Sequence, residues 1–163
     1  MSVKAMTRVA LLATLLFIIY SAGSMVMYVE LFNFTVLLYG VCLSRKQSFG
    51  AVFVFCFLLL LVYGVQIWAL MYLIIFPVYA LIYHQIGKWT QSEYILACCG
   101  FILAFLCGTL IDLPFILMSG LTSKALIIRL VLGFQASLGN GICTFLATMF
   151  LYQPLSRTIK KLN

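Results

Sequence analysis

Few residues in this chain could do chemistry, and several of them lie in a single stretch. Residues 120–141, GLTSKALIIRLVLGFQASLGNG, place the cations Lys124 and Arg129 among leucines and isoleucines, and the amides Gln135 and Asn140 follow. In an apolar setting such groups bind an anionic or polar ligand, or they reach towards lipid headgroups as anchors. Both interpretations remain open at this point.

Residue combinations that carry enzyme chemistry are missing from the sequence. The chain has three acidic residues and one histidine, and it contains no paired carboxylates at one site, no serine–histidine–aspartate order, no H-E-x-x-H and no Walker loop. We therefore expect no catalytic residue, no metal and no other cofactor. The six cysteines form no C-x-x-C pair, so we expect them to act as small apolar residues.

The composition is that of an integral membrane protein. Of the 163 residues, 66% are hydrophobic and 8% are charged, whereas about 25% are charged in a soluble domain. No hydrophilic run is long enough for a separate soluble domain or for a basic surface that binds nucleic acid. We predict one transmembrane substrate-binding domain over residues 1–163, with the lipid bilayer around it.

Apolar segments predict an all-α bundle of six transmembrane helices, since a spanning helix needs about 20 mainly apolar residues. The predicted helices cover residues 9–29, 31–44, 49–64, 66–83, 93–113 and 132–154. The second and third are short. The longest connection, residues 114–131, is expected to be an outer loop.

The distribution of lysine and arginine predicts the orientation. All of them except Lys124 and Arg129 fall on one side of the six predicted spans, so both termini are expected to be cytoplasmic. The first span also fits a secretory signal peptide, because Lys4 and Arg8 precede an apolar run and SAGS follows it. Its removal would leave five spans in the same orientation, but we expect it to be retained.

The outer side collects the polar residues that a ligand pocket needs. Glu30 and Asp112 share it with the two cations, and the fourth span begins there with an amide and two aromatic residues. The predicted substrate-binding residues are Gln66, Trp68, Tyr72, Asp112, Lys124, Arg129, Gln135 and Asn140.

A stripe of small residues on the fifth span predicts close helix packing. Gly100, Ala104 and Gly108 recur at every fourth position, which lets another helix backbone approach. We expect that helix to lie in the same chain; a second chain is the alternative.

Three segments together resemble the S components of energy-coupling factor (ECF) transporters, the membrane subunits with which bacteria capture vitamins. MTRVALLATLLFIIYSAG is a basic, alanine-containing first helix, and LFNFTVLLYGVCLSRKQSFGAV joins a short helix through a basic turn to a glycine-bearing third helix. GFQASLGNGICTFLATMFLYQPLSRTIKKL is a last helix that ends in Pro-Leu and a basic tail. The resemblance covers nearly the whole chain.

The resemblance implies a multi-pass protein of the bacterial cell membrane with an outward pocket gated by its outer loops. Its partners would be a water-soluble vitamin, a transmembrane coupling subunit and two cytoplasmic ATPase subunits, and it would topple in the bilayer to release the vitamin. In that family an A-x-x-x-A pattern on the first helix contacts the coupling subunit. Ala10, Ala13 and Thr14 stand at that place here, although the two alanines are three positions apart.

The same resemblance makes the connection with Lys124 and Arg129 an outer gate. Arg129 would pair with a substrate carboxylate, which favours a vitamin such as pantothenate over pyridoxine or hydroxymethylpyrimidine. Glu30 and Asp112, on the same side, could instead neutralise the cations.

Two other classes remain. A scaffold similar to the MreD proteins of the cell-shape machinery would use the Gln135 and Asn140 face to pack against helices and the Gly100 stripe as a subunit interface. A secondary carrier would require an inverted repeat and broken helices, and neither is visible in the sequence.

Overall fold

The computed structural model describes residues 3–25, 30–118, 120 and 122–161, without the Lys161 side chain. Over these residues the chain forms helices and no strand. The helices are α1 (Val3–Gly23), α2 (Leu31–Cys42), α3 (Arg45–Tyr63), α4 (Ile67–Trp89), α5 (Glu93–Met118) and α6 (Ser123–Lys161). All except the 12-residue α2 are long and apolar enough to cross a bilayer. The chain is therefore described as a multi-pass membrane protein.

Consecutive helices run in opposite directions, so the bundle has two distinct ends. At the terminal end, where α1 starts and α6 finishes, Gln91 accepts hydrogen bonds from Tyr152 Oη at 3.0 Å and from Lys160 Nζ at 2.9 Å. The opposite end, which we call the distal end, carries the starts of α4 and α6 and the end of α5. Which end faces the cytoplasm stays a prediction.

The short helix α2 is the centre of the bundle. Every residue of α2 except Leu31 and Val41 is buried, and the helix contacts all five others. Gly40 permits its close approach to α4, because a Cβ atom there would collide with Tyr83 Cβ and lie 3.0 Å from the Ala80 carbonyl oxygen.

The length of α2 leaves space at the distal end. At 1.5 Å per residue, α2 is about 18 Å long and α4 about 34 Å. The two helices are level at the terminal end, where Val41 packs against Gly87. The other end of α2 therefore lies inside the bundle, where Phe32 stacks on Tyr72 with ring centroids 5.8 Å apart.

The small-residue stripe packs inside the chain, as predicted. A Cβ atom on Gly100 would lie 2.8 Å from Leu37 Cδ1 of α2 and 3.1 Å from Thr144 Cγ2 of α6. Gly108 faces Ser137 of α6 in the same way, and Ala104 between them is buried.

The prediction of an outer loop at residues 114–131 is wrong. Helix α5 continues through Pro114 to Met118 and α6 already begins at Ser123, so Lys124 and Arg129 are helical. Pro114 removes one backbone donor, and the apolar residues around it continue the helix on both sides. The hairpin closes in a turn in which Gly120 has a φ of 56°, a left-handed value that suits glycine.

Other helix bounds also differ from the prediction. α1, α3 and α6 extend into the basic flanks at the terminal end, and α4 continues to Trp89. The predicted spans stop where charged residues begin. Lysine and arginine are good helix formers, so the helices continue through these residues.

Candidate functional site

The space beyond α2 is a partly open polar cavity of about 170 Å³, lined by Glu30, which precedes α2, and by residues of α4, α5 and α6. Its lining residues are Glu30, Tyr72, Cys107, Gly108, Ile111, Asp112, Gly133, Ala136, Ser137 and Asn140. Since a water occupies about 30 Å³ of liquid volume, the cavity has room for roughly five waters or one small ring.

Glu30 is the charged group at the start of α2. It occupies the N-cap position, yet its side chain makes no capping hydrogen bond. The carboxylate instead accepts a hydrogen bond from Asn33 Nδ2 at 3.3 Å, and Asn140 and Cys143 of α6 lie beside Glu30. Glu30 therefore faces α6 at the cavity.

Ser137 adds an unused polar group to the cavity wall. Its side chain is 1% exposed, and its Oγ has no hydrogen-bond partner among the described residues. A buried hydroxyl without a partner costs about 1–3 kcal/mol of stability. The hydroxyl oxygen faces Gly108 of α5, where a Cβ atom would collide with it, and it has almost no surface open to water.

An ion pair lies at the distal mouth of the cavity. Arg129 Nη2 donates to Asp112 Oδ1 at 2.6 Å, and the guanidinium carbon lies 4.0 Å from the centre of the Phe115 ring. Arg129 Nε is buried and has no hydrogen-bond partner among the described residues. The pair is neutral as a unit, and the N–H group at Arg129 Nε makes no hydrogen bond to a described residue.

Two further cavities open from the same mouth. One, of about 310 Å³, shares Ile111 and Asp112 with the polar cavity and adds residues from the start of α4; the other, of about 430 Å³, lies between α5 and the first turns of α6. The residues from α4 are Gln66, Ile67 and Trp68.

Aromatic side chains form a wall along α4. Trp68 Nε1 donates to Gln66 Oε1 at 2.6 Å, and the Trp68 and Tyr72 rings meet edge-on with centroids 5.4 Å apart. Tyr72 also packs on Phe76 at 4.8 Å and on Phe32. These contacts hold the Tyr72 ring in place at the cavity.

Most of the predicted substrate-binding residues meet at these cavities. Tyr72, Asp112 and Asn140 line the polar cavity, and Gln66, Trp68 and Arg129 line its mouth. Lys124 and Gln135 are exposed and line neither of these spaces.

The sequence-based site prediction omitted Glu30 and Ser137. Glu30 is one of three acidic residues in the chain and lies between two apolar segments, which is a signal for a functional carboxylate. Ser137 lies one turn before Asn140 and shares its face of α6, which is the signal that could have identified it.

The three residues predicted to contact a coupling subunit separate into two environments. Ala13 is fully buried in the core, so it is not part of an external surface. Ala10 and Thr14 are exposed, and the Thr14 hydroxyl donates to the Ala10 carbonyl at 3.0 Å.

No cluster of metal-ligating side chains exists among the described residues. Cys42, Cys56 and Cys107 are buried, as expected of small apolar residues, whereas Cys98 is exposed.

No family model, curated protein or solved structure matches the chain in comparisons with known proteins.

Proposed function

We propose that the chain captures a small water-soluble molecule, as the substrate-binding subunit of an ECF-type importer in a bacterial cell membrane. The observation that carries the proposal is the polar cavity inside an apolar bundle, with the Glu30 carboxylate and the Asn140 side chain on its wall. Polar groups in a membrane interior are costly, and they persist where a function requires them.

The arrangement of the cavities suits binding from the distal end. The aromatic wall of Trp68 and Tyr72 offers a flat apolar surface, and Asn140 and Glu30 offer hydrogen bonds, which is the usual composition of a small-molecule site. Because the predicted orientation makes the distal end extracellular, a vitamin would enter there. Release inside would depend on the coupling subunit and the two ATPases, since the chain itself is proposed to be neither an enzyme nor a nucleotide-binding protein.

A ligand-induced rise in melting temperature tests the proposal. The full chain in detergent would be heated with each compound of a panel of water-soluble vitamins, since a ligand at 100 times its dissociation constant adds about 2.7 kcal/mol of stability. We expect one vitamin, or a group of related ones, to raise the melting temperature. A folded protein that responds to no compound of the panel would overturn the proposal.

A second candidate function, an MreD-like scaffold, is favoured by another feature. An apolar groove of about 440 Å³ between α5 and α6 is lined by Phe101, Ile102, Ile142, Phe145, Leu146 and Cys98, and it presents no polar surface. A helix of a partner protein would fit such a groove, as would a lipid chain. A scaffold would give no response to the vitamin panel.

A further inference from the structure

The polar cavity has an excess of hydrogen-bond acceptors over donors, and this selects its ligand. The Glu30 carboxylate has about four lone-pair positions, of which Asn33 Nδ2 uses one. Asn140 lies beside the carboxylate and adds one amide, with a donor and an acceptor group, to the cavity wall. Asp112 Oδ1 is taken by Arg129, and Oδ2 lies beside Gly133 on the cavity wall.

The charge of the cavity also favours a ligand that donates hydrogen bonds. The ion pair of Asp112 and Arg129 is neutral as a unit, whereas Glu30 makes no ion pair with any described residue. A carboxylate in a low-dielectric interior is stabilised by hydrogen-bond donors or by a cation. The ligand that complements this cavity therefore brings N–H groups or a positive charge.

The size and the aromatic wall restrict the ligand further. About 170 Å³ admits one small ring, and the Tyr72 ring is held by Phe32, Phe76 and Trp68. An aromatic face attracts both a flat heterocycle and a cation.

We infer that the cavity binds an amino-substituted or protonated nitrogen heterocycle, with its N–H groups on the Glu30 carboxylate and its ring against Tyr72. This inference rests on the proposed function and names the class of its substrate. A carboxylate vitamin would instead have to draw Arg129 away from Asp112.

The test compares matched ligands on the wild-type chain. The dissociation constants of 4-amino-5-hydroxymethyl-2-methylpyrimidine, of its analogue with a 4-hydroxyl group, and of pantothenate would be measured by calorimetry in detergent. We expect the amino compound to bind at least tenfold more tightly than the other two. Tighter binding of pantothenate or of the hydroxyl analogue would overturn the inference but keep the capture function.

A matched pair of variants tests the role of the carboxylate. Glu30→Gln is expected to weaken binding of the amino compound at least tenfold, whereas Glu93→Gln, the same change at the terminal end of α5, is expected to leave it within twofold. Equal affinities of the two variants would overturn the inference. If Glu30→Gln does not fold, the comparison of the three ligands on the wild-type chain still tests the inference. If the wild-type chain binds no compound of the vitamin panel, the capture function itself is overturned.

Discussion

Arg129 Nη2 and Asp112 Oδ1 lie 2.6 Å apart across the α5–α6 hairpin, although 17 positions separate the two residues. The guanidinium also covers Phe115, one turn after Asp112. Because both side chains remain partly exposed, at 38% and 28%, the pair is neither a buried charge nor a loose surface contact. It joins two helices at the mouth of the polar cavity, and it fixes the position of the Arg129 guanidinium at that mouth.

Breaking this pair should lower stability through coupling between the two residues. We expect Asp112→Asn and Arg129→Gln each to lower the melting temperature, and the double variant to lose less than the sum of the two. The coupling free energy should be on the order of 1 kcal/mol, the upper range for a partly exposed ion pair. A double-mutant cycle by thermal unfolding in detergent measures it, and strictly additive losses would contradict the prediction.

Helix packing at Gly100 should not tolerate a methyl group. A Cβ atom there would lie 2.8 Å from Leu37 Cδ1 and 3.1 Å from Thr144 Cγ2. Overpacking of this kind costs typically 1–3 kcal/mol, so Gly100→Ala should lower the melting temperature.

The control for Gly100 is Gly50→Ala on α3. The new Cβ atom would meet Val9 Cγ1 at an ordinary 3.4 Å, and alanine raises helix propensity by about 1 kcal/mol. Gly50→Ala should therefore be neutral or stabilising. Equal destabilisation by the two variants would show that loss of glycine, and not the contact with α2 and α6, is responsible.

The sequence predicted which segments are helical, but it did not predict how far from the distal end each polar residue lies. Apolar runs and the Gly100 stripe predicted the helical elements and their packing, because both depend on local composition and spacing. The role of Glu30 could not be predicted in this way. Its distance from the distal end depends on how α2 is aligned with α4, which is fixed by contacts such as that between Gly40 and Tyr83.

The Arg129 environment was not predicted, for a different reason. The sequence predicts a longer connection over residues 114–131, whereas α5 continues to Met118 and α6 begins at Ser123, so that the connection is a short turn. Once α5 and α6 both continue to that turn, Asp112 and Arg129 are level with each other, and the pairing follows from the geometry. Six of the eight predicted site residues still line the cavities, whereas Lys124 and Gln135 lie outside them.

The orientation of the bundle is open to a direct test. The cation distribution predicts a cytoplasmic terminal end, so a fluorescent protein fused after Asn163 should fluoresce in intact cells, and alkaline phosphatase at the same site should be inactive. Insertion of each reporter at Gly120, in the turn at the distal end, should give the reverse pattern. Phosphatase activity at the C-terminal fusion would contradict the predicted orientation.

Docking of a coupling subunit should depend on the exposed residues Ala10 and Thr14. If the chain works as an ECF-type capture subunit, Ala10→Trp and Thr14→Trp should abolish co-purification with that subunit by steric exclusion. Leu61→Trp, at a position of α3 that is 66% exposed, is the control and should keep it. Retained co-purification of all three variants, at unchanged melting temperature, would locate the docking surface elsewhere.

Ser137 and Ser48 provide a way to separate stability from binding. Both hydroxyls are buried at 1% exposure without a hydrogen-bond partner among the described residues, but only Ser137 lines the polar cavity. Removing an unsatisfied buried hydroxyl relieves a cost of about 1–3 kcal/mol, so Ser137→Ala and Ser48→Ala should each raise the melting temperature of the ligand-free protein or leave it unchanged.

The two serine variants should then differ when ligand is present. Ser137→Ala changes the wall of the polar cavity, so the ligand-induced rise in melting temperature should shrink, whereas Ser48→Ala, which does not line that cavity, should keep the wild-type rise. This pattern, a more stable protein that binds less well, is what a polar group retained for binding produces. If both variants keep the full response, the Ser137 hydroxyl serves water or packing, and the ligand is held without it.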